Sequence, residues 1–209
     1  MPELNAFVWD EFRAGSQRSF EHIFLAYYDS LYGYGMQLAH DQEVVKDCLQ
    51  SLFHRLWQRR TRLGAVEEIR PYLFKALRNE VTAALTARRR QGELPKASPQ
   101  EVAVPFTVED FLNARPLTAE QHAQLLAALT QLSNHQREAV HLRFFEGIAF
   151  ECITTIMELQ PQSVRNLIQQ SIRRLRLAWP LLAKLLLRME AVVMTTKQGK
   201  LMNLLISGL

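Results

Sequence analysis

The stretch that decides the fold is residues 133–176, SNHQREAVHLRFFEGIAFECITTIMELQPQSVRNLIQQSIRRLR. Ser133 and Gln136 stand three apart, the spacing of a capping box, which predicts a helix beginning near Asn134. Val140 and Phe144 give that helix an apolar stripe, and Gly147 can end it in a left-handed turn. A second helix is expected from about Phe150 to Met157, burying Ile153, Ile156 and Met157. Pro161 suits the first position of a third helix, where its missing N–H does no harm. Val164, Ile168, Ile172 and Leu175 line one side of that helix, spaced four, four and three. A short helix, a tight turn and a longer helix make a helix-turn-helix.

The other side of the third helix carries Gln162, Ser163, Arg165, Asn166, Gln169, Gln170, Arg173 and Arg174. Amides pair with adenine edges, and arginine pairs with guanine or clamps phosphate. A helix of this width fits the major groove. No acidic side chain occurs from residue 165 to 189. An ordinary solvated face also carries polar groups. The preceding short helix, the turn and the one-sided charge together favour a DNA-reading face.

Outward from this unit, the chain of 209 residues is long enough for one or two compact domains, and 48% hydrophobic residues supply real cores. Only 8 glycines occur and the apolar spacing is helical nearly throughout, so the fold class is all-α. There is no internal repeat and no low-complexity tract. The net charge of +4 is unevenly placed: −5 over residues 1–53, +7 over 54–90, −3 over 91–132, +2 over 133–176 and +3 over 177–209. Two basic blocks around an acidic one imply two nucleic-acid contacts and a connector that avoids DNA. Cys48 and Cys152 lack a second cysteine or histidine at metal spacing, and read as buried small apolar residues in a reducing compartment. The opening, MPELNAFVWDEFRAG, does not read as a signal peptide.

In residues 19–40, Phe20, Phe24, Tyr27, Leu31, Tyr34 and Leu38 alternate at four and three, a core-facing helix stripe. Asp41 is placed to cap the next helix, DQEVVKDCLQSLFHRLWQRR, whose buried side is Val45, Leu49, Leu52, Phe53 and Leu56. Arg59, Arg60 and Arg62 gather at its C-terminal end, where cations are favoured. Pro71 is expected to start a helix through PYLFKALRNEVTAALTARRR, burying Leu73, Leu77, Val81 and Leu85. Its basic residues Arg70, Lys75, Arg78 and Arg88 to Arg90 alternate with Tyr72 and Phe74, which suits melted DNA, since an unstacked base can rest on a ring. The same rings could instead be core. Residues 91–117 read as a linker with Pro95, Pro99, Pro105 and Pro116; about 27 residues reach roughly 90 Å if extended. Thr107 with Asp110 can cap a short turn there. Thr118 with Gln121 repeats the capping-box pattern, ahead of Leu125, Leu126, Leu129 and Leu132.

Four motifs in this order, DCLQSLFHRLWQRR, PYLFKALRNE, LSNHQREAVHLRFFEG and PQSVRNLIQQSIRRLR, resemble those of bacterial extracytoplasmic-function sigma factors, small two-domain specificity subunits of RNA polymerase. The resemblance covers about residues 19–90 (region 2) and 120–176 (region 4). It implies a region 2-like helical domain over 1–90, an acidic linker over 91–117 and a region 4-like helix-turn-helix domain over 118–177; the apolar helical C-terminal extension over 178–209 lies beyond the resemblance. It implies a protein that binds core RNA polymerase, recognises promoter DNA at its minus-ten and minus-thirty-five elements, and promotes transcription initiation. Asp47, Gln50, Ser51 and His54 match the face that docks on polymerase. Tyr72, Lys75, Arg78 and Asn79 match the segment that opens and reads the minus-ten element. Gln162, Ser163, Arg165, Asn166, Gln169, Gln170 and Arg173 match the helix that reads the minus-thirty-five element. An anti-sigma factor is an implied partner.

Neither a P-loop, a dinucleotide fingerprint, a zinc signature nor a nucleophile motif is present, so no enzymatic activity, cofactor, metal or small-molecule substrate is expected. A cytoplasmic location is expected. The tail over 178–209 is apolar, but Lys184, Arg188 and Glu190 interrupt it, so it is not expected to span a membrane. Its Leu181, Leu185 and Val192 are expected to pack on the chain's own domains, or to form a regulatory segment. The sequence departs from the family at Cys152-Ile153-Thr154, where Glu-Ile-Ala is usual, at Glu158, where glycine is usual, and at Ala83 and Thr86, where an aspartate and an arginine are common. Two other readings stay open: a stand-alone helix-turn-helix regulator, against which the basic block over 54–90 and the long linker argue, and a sigma-like interaction decoy that has lost DNA reading, which Thr154, Glu158 and Ala83 keep open.

Overall fold

The computed structural model describes residues 6–91, 127, 129 and 131–178. Among these residues the secondary structure is entirely helical. The elements are α1 (Ala6–Arg13), α2 (Gln17–Ala39), α3 (Gln42–Arg59) with a 3₁₀ turn (Arg60–Arg62), α4 (Ile69–Arg90), α5 (Asn134–Val140) with a π-helical turn (His141–Phe145), α6 (Phe150–Met157) and α7 (Pro161–Ala178). The linker prolines, the Thr107–Asp110 and Thr118–Gln121 patterns, Leu125 and Leu126, and the tail residues Leu181, Leu185 and Val192 lie outside the described residues.

The first unit is the packing of α2, α3 and α4, with α1 across one end. The α2 stripe enters the core as its spacing predicts: Tyr27, Leu31 and Tyr34 are buried, while Phe20, Phe24 and Leu38 are partly buried against them. In α3, Val45, Leu49, Leu52, Phe53 and Leu56 are all buried. In α4, Leu73, Leu77 and Val81 are buried and Leu85 is partly buried. That helix starts at Ile69, two residues ahead of Pro71. Proline in the first turn gives up no intrahelical bond, because the N–H groups there have no partner.

Helix α1 has no counterpart among the helices expected from the sequence. Its Trp9 and Phe12 are fully buried. The Trp9 indole lies 5.2 Å from the Phe12 ring and 5.1 Å from Tyr72. Its Nε1–H donates to the Gly64 carbonyl at 3.0 Å, and Arg13 Nε donates to the Leu63 carbonyl at 2.7 Å. Through these bonds α1 is tied to the loop between α3 and α4.

Helices α2 and α3 cross closely at Gly35. A Cβ there would stand 2.7 Å from Val45 Cγ1. Val45 is fully buried and its branched side chain is stiff at χ1, so it cannot swing away. Gly35→Ala is therefore expected to destabilise the protein by roughly 1–3 kcal/mol, as overpacking does; an unchanged denaturation midpoint would contradict the close crossing.

Asp41 caps α3 as expected, accepting from Glu43 N at 3.0 Å and Val44 N at 3.2 Å. It also accepts from Arg88 Nη1 at 2.6 Å, tying the start of α3 to the end of α4. The Val44 amide, and then Arg88, hold its carboxyl below the ordinary carboxylate range. A depressed native pKa contributes stability above the unfolded value, and that stability is lost as pH falls through the native value. Asp41→Ala is expected to cost about 1 kcal/mol at neutral pH, the usual worth of a cap. The gap between variant and parent in urea melts should shrink as pH drops below about 4.

In the second unit, the capping box is complete: Ser133 Oγ accepts from Gln136 N at 3.3 Å, and Gln136 Oε1 accepts from Ser133 N at 3.1 Å. Helix α5 is shorter than its apolar stripe predicts. After Val140 the chain widens into the π turn, with Glu146 N donating to His141 O at 3.1 Å. Gly147 then takes a φ of 63°, the left-handed stop expected from the sequence. Ile153, Ile156 and Met157 of α6, and Val164, Ile168 and Leu175 of α7, form the buried interior, with Ile172 at its edge. Leu129 and Leu132 join that interior.

The two units touch. Helix α4 packs against α6, and α2 against α5, so one connected apolar core runs from Trp9 to Leu175 among the described residues.

Candidate nucleic-acid interface

Three faces carry the candidate residues. On α7, Gln162, Ser163, Arg165, Asn166, Gln169, Gln170 and Arg173 are all exposed, while the opposite stripe is buried. The turn before the helix fixes this orientation. Glu158 ends α6 with φ 55° and ψ 41°, and its backbone N–H donates to the Thr154 carbonyl. Leu159 N bonds the same oxygen at 3.1 Å. A non-glycine residue pays roughly 1–2 kcal/mol for that conformation. Thr154, larger than the usual alanine, is accommodated with its Oγ1 donating to Glu151 O at 2.6 Å.

Several α7 side chains are held before any ligand arrives. The Arg165 guanidinium lies 5.3 Å from the Phe150 ring centroid. Gln162 Nε2 donates to Asn166 Oδ1 at 3.1 Å. Buried Gln136 donates through Nε2 to Gln170 Oε1 at 3.2 Å, and its Oε1 accepts from Arg174 Nη1 at 3.1 Å. The sequence marks Gln136 as a cap. Only the structure shows that its amide also orients the α7 face, because that contact spans 34 residues.

On α4 the candidates differ in access. Asn79 is exposed. Tyr72 is half-buried with its ring edge-on to Trp9, and burial pushes its hydroxyl pKa up. Phe74 is buried, 5.0 Å from the Tyr34 ring, so it belongs to the core. Lys75 Nζ stands 3.9 Å from Glu158 Oε1. Arg78 Nε donates to Glu138 Oε1 at 2.7 Å, and Tyr34 Oη donates to the same oxygen at 2.8 Å. Burial, then the Glu138 charge, raises the Tyr34 pKa well above its ordinary value. Ala83 and Thr86 line an open groove beside Arg78, Asn79 and Arg90.

On α3, Asp47, Gln50 and His54 are exposed and Ser51 is partly exposed, on the side opposite the buried stripe. His54 Nε2 and Gln58 Nε2 are 2.8 Å apart. Cys48 is buried and Cys152 partly so, both free thiols. Among the described residues, no group of histidine, cysteine, aspartate and glutamate could hold a metal ion. No described helix is long and apolar enough to cross a membrane.

A helical protein of two units, one ending in a helix-turn-helix with an acid-free outer face, is the class this geometry defines. No protein-family profile matches the chain. Its sequence is 27% identical to RNA polymerase sigma factor CarQ of Myxococcus xanthus over 169 residues, covering 80% of this chain and 92% of that one. It is 23% identical over 157 residues to the RNA polymerase sigma-H factor of Pseudomonas aeruginosa, covering 73% and 81%. The fold is similar to that of the sigma factor RpoE from Bartonella quintana, solved in complex with the anti-sigma factor NepR. That likeness has a TM-score of 0.58 at 19% identity and covers 77% of this chain and 96% of that one. The resemblance to extracytoplasmic-function sigma factors is thus borne out as a similarity to RNA polymerase sigma factors in sequence and to a solved sigma factor in fold.

Proposed function

We propose that the protein is an RNA polymerase sigma factor that binds core polymerase, recognises promoter minus-ten and minus-thirty-five elements and promotes initiation. In this reading α7 enters the major groove at the upstream element, with Gln162, Ser163, Arg165, Asn166, Gln169, Gln170 and Arg173 facing base edges and phosphates. Helix α4 meets melted DNA through Tyr72, Lys75, Arg78 and Asn79. Helix α3 docks on polymerase through Asp47, Gln50, Ser51 and His54. The protein carries out no bond chemistry and works in the cytoplasm, where an anti-sigma factor is a further partner.

The observation that carries the reading is the α7 face. Seven amide, hydroxyl and guanidinium side chains stand exposed on a helix whose other side is apolar and buried, on a chain related to sigma factors. Run-off transcription with purified core polymerase tests it. A product whose start depends on the added protein is expected. Absence of product, with no co-purification of core enzyme, would return the stand-alone regulator.

A further inference from the structure

We infer that Gln136 is a positioning residue for base reading: by fixing which end of the Gln170 amide faces outward, it makes that side chain a hydrogen-bond donor toward DNA. This role rests on the reading of α7 as a DNA-contacting helix. Gln136 lies in α5 and is only 3% exposed, while Gln170 stands on the open α7 face.

The polarity follows from a series of obligate partners. The Ser133 backbone N–H and the Arg174 guanidinium can only donate. Both meet one end of the Gln136 amide, each at 3.1 Å. That end is therefore the oxygen, Oε1, and these two bonds fill its lone pairs. The other end is Nε2, which can only donate. It stands 3.2 Å from Gln170, so the atom it meets there is the acceptor, Oε1. The NH2 group of Gln170 is left on the outward side. Arg174 is itself held in place, because its Nη1 also donates to the Gln131 carbonyl at 3.1 Å. The exposed pair of Gln162 and Asn166 is different: both amides can reverse together and keep the 3.1 Å bond between them.

The cap at Ser133 does not account for an amide at position 136. A capping box needs only an acceptor oxygen from that residue, and glutamate supplies one equally well. A carboxylate is moreover favoured at a helix N-terminus, and Arg174 stands ready to pair with it. What glutamine adds is the donating Nε2, and that group goes to Gln170.

A Gln170 that presents its NH2 end discriminates between bases. In the major groove guanine offers the acceptors N7 and O6, whereas cytosine offers a donor, its N4 amino group. The base contacted by Gln170 is therefore guanine rather than cytosine. A buried residue that never touches DNA thus takes part in setting the promoter sequence.

The test uses the full chain with core RNA polymerase and a duplex library randomised over about ten base pairs, one helical turn. Gln170→Ala locates the contacted base pair, as the position where its enrichment profile departs from the parent's. There the parent should favour guanine over cytosine by roughly tenfold. Gln136→Glu keeps the cap and the bond to Arg174 but can only accept, so Gln170 turns its NH2 inward and presents its oxygen. The preference should then reverse to cytosine at that position, with the rest of the profile unchanged. A parent-like profile from Gln136→Glu, or an equal loss at every position, would overturn the positioning role, as would a profile that Gln170→Ala leaves untouched. Should Gln136→Glu fail to fold, hydrogen exchange of the side-chain amides in the parent decides. A protected Gln136 NH2 and a freely exchanging Gln170 NH2 are expected, and the reverse would overturn the polarity. Absence of any enriched sequence with the parent would refute DNA reading by α7 itself, and the role of Gln136 with it.

Discussion

Trp9→Ala is expected to lower the stability of the first unit by about 3–5 kcal/mol, the usual loss for truncating a fully buried aromatic. The indole is completely buried between Phe12 and Tyr72, and its N–H satisfies the Gly64 carbonyl. Truncation removes apolar contact, opens a cavity and leaves that carbonyl without its partner. The loop after α3 should loosen with it, because α1 holds that loop through only a few bonds. Urea denaturation followed by circular dichroism measures the loss. A shift below about 1 kcal/mol would mean that α1 is an ornament on the bundle rather than part of it.

The second large effect is expected at the α7 face. Arg165→Ala and Asn166→Ala should each weaken promoter-specific binding by about 1–3 kcal/mol, or roughly 5- to 150-fold. Both side chains are exposed and already oriented, Arg165 over the Phe150 ring and Asn166 by Gln162. Neither contributes to the apolar interior, so the melting temperature should hardly move. The measurement is run-off transcription on templates with intact and scrambled upstream elements. Loss confined to intact elements supports base reading. Equal loss on every template would reduce the two side chains to phosphate contacts.

Much of this architecture is legible in the chain itself, because the information is local. The Ser133 to Gln136 box, the Asp41 cap, the left-handed Gly147 and the Pro161 start are all fixed by neighbours within a turn, and each is found where the spacing puts it. The buried stripes of α2, α3 and α7 follow the same rule. Two local features escape. Helix α1 is short, and a single Trp9–Phe12 step is too brief a pattern to separate from a loop. The π turn at His141–Phe145 has no composition of its own and interrupts a stripe that reads as continuous.

What joins the units is not local at all. Glu138 meets Tyr34 and Arg78 across 104 and 60 positions. Along the sequence Glu138 is one acid among the basic and acidic residues of 133–176. Nothing nearby reveals that it is buried and shared by two donors. For the same reason Tyr72 stays ambiguous until Trp9 is seen beside it. Charge totals by segment locate the basic helix, yet they do not say which of its cations already have partners.

The wide turn at His141–Phe145 makes this chain sensitive to length as well as to composition. An ordinary helix advances about 100° per residue, so removing one residue there would swing everything downstream around the axis by that amount. Glu146 would then face away from Arg70, and the start of α6 would be aimed differently. Insertions or deletions of one residue between 141 and 145 should therefore be tolerated far less than conservative exchanges at the same places, a pattern that a deletion library would expose directly.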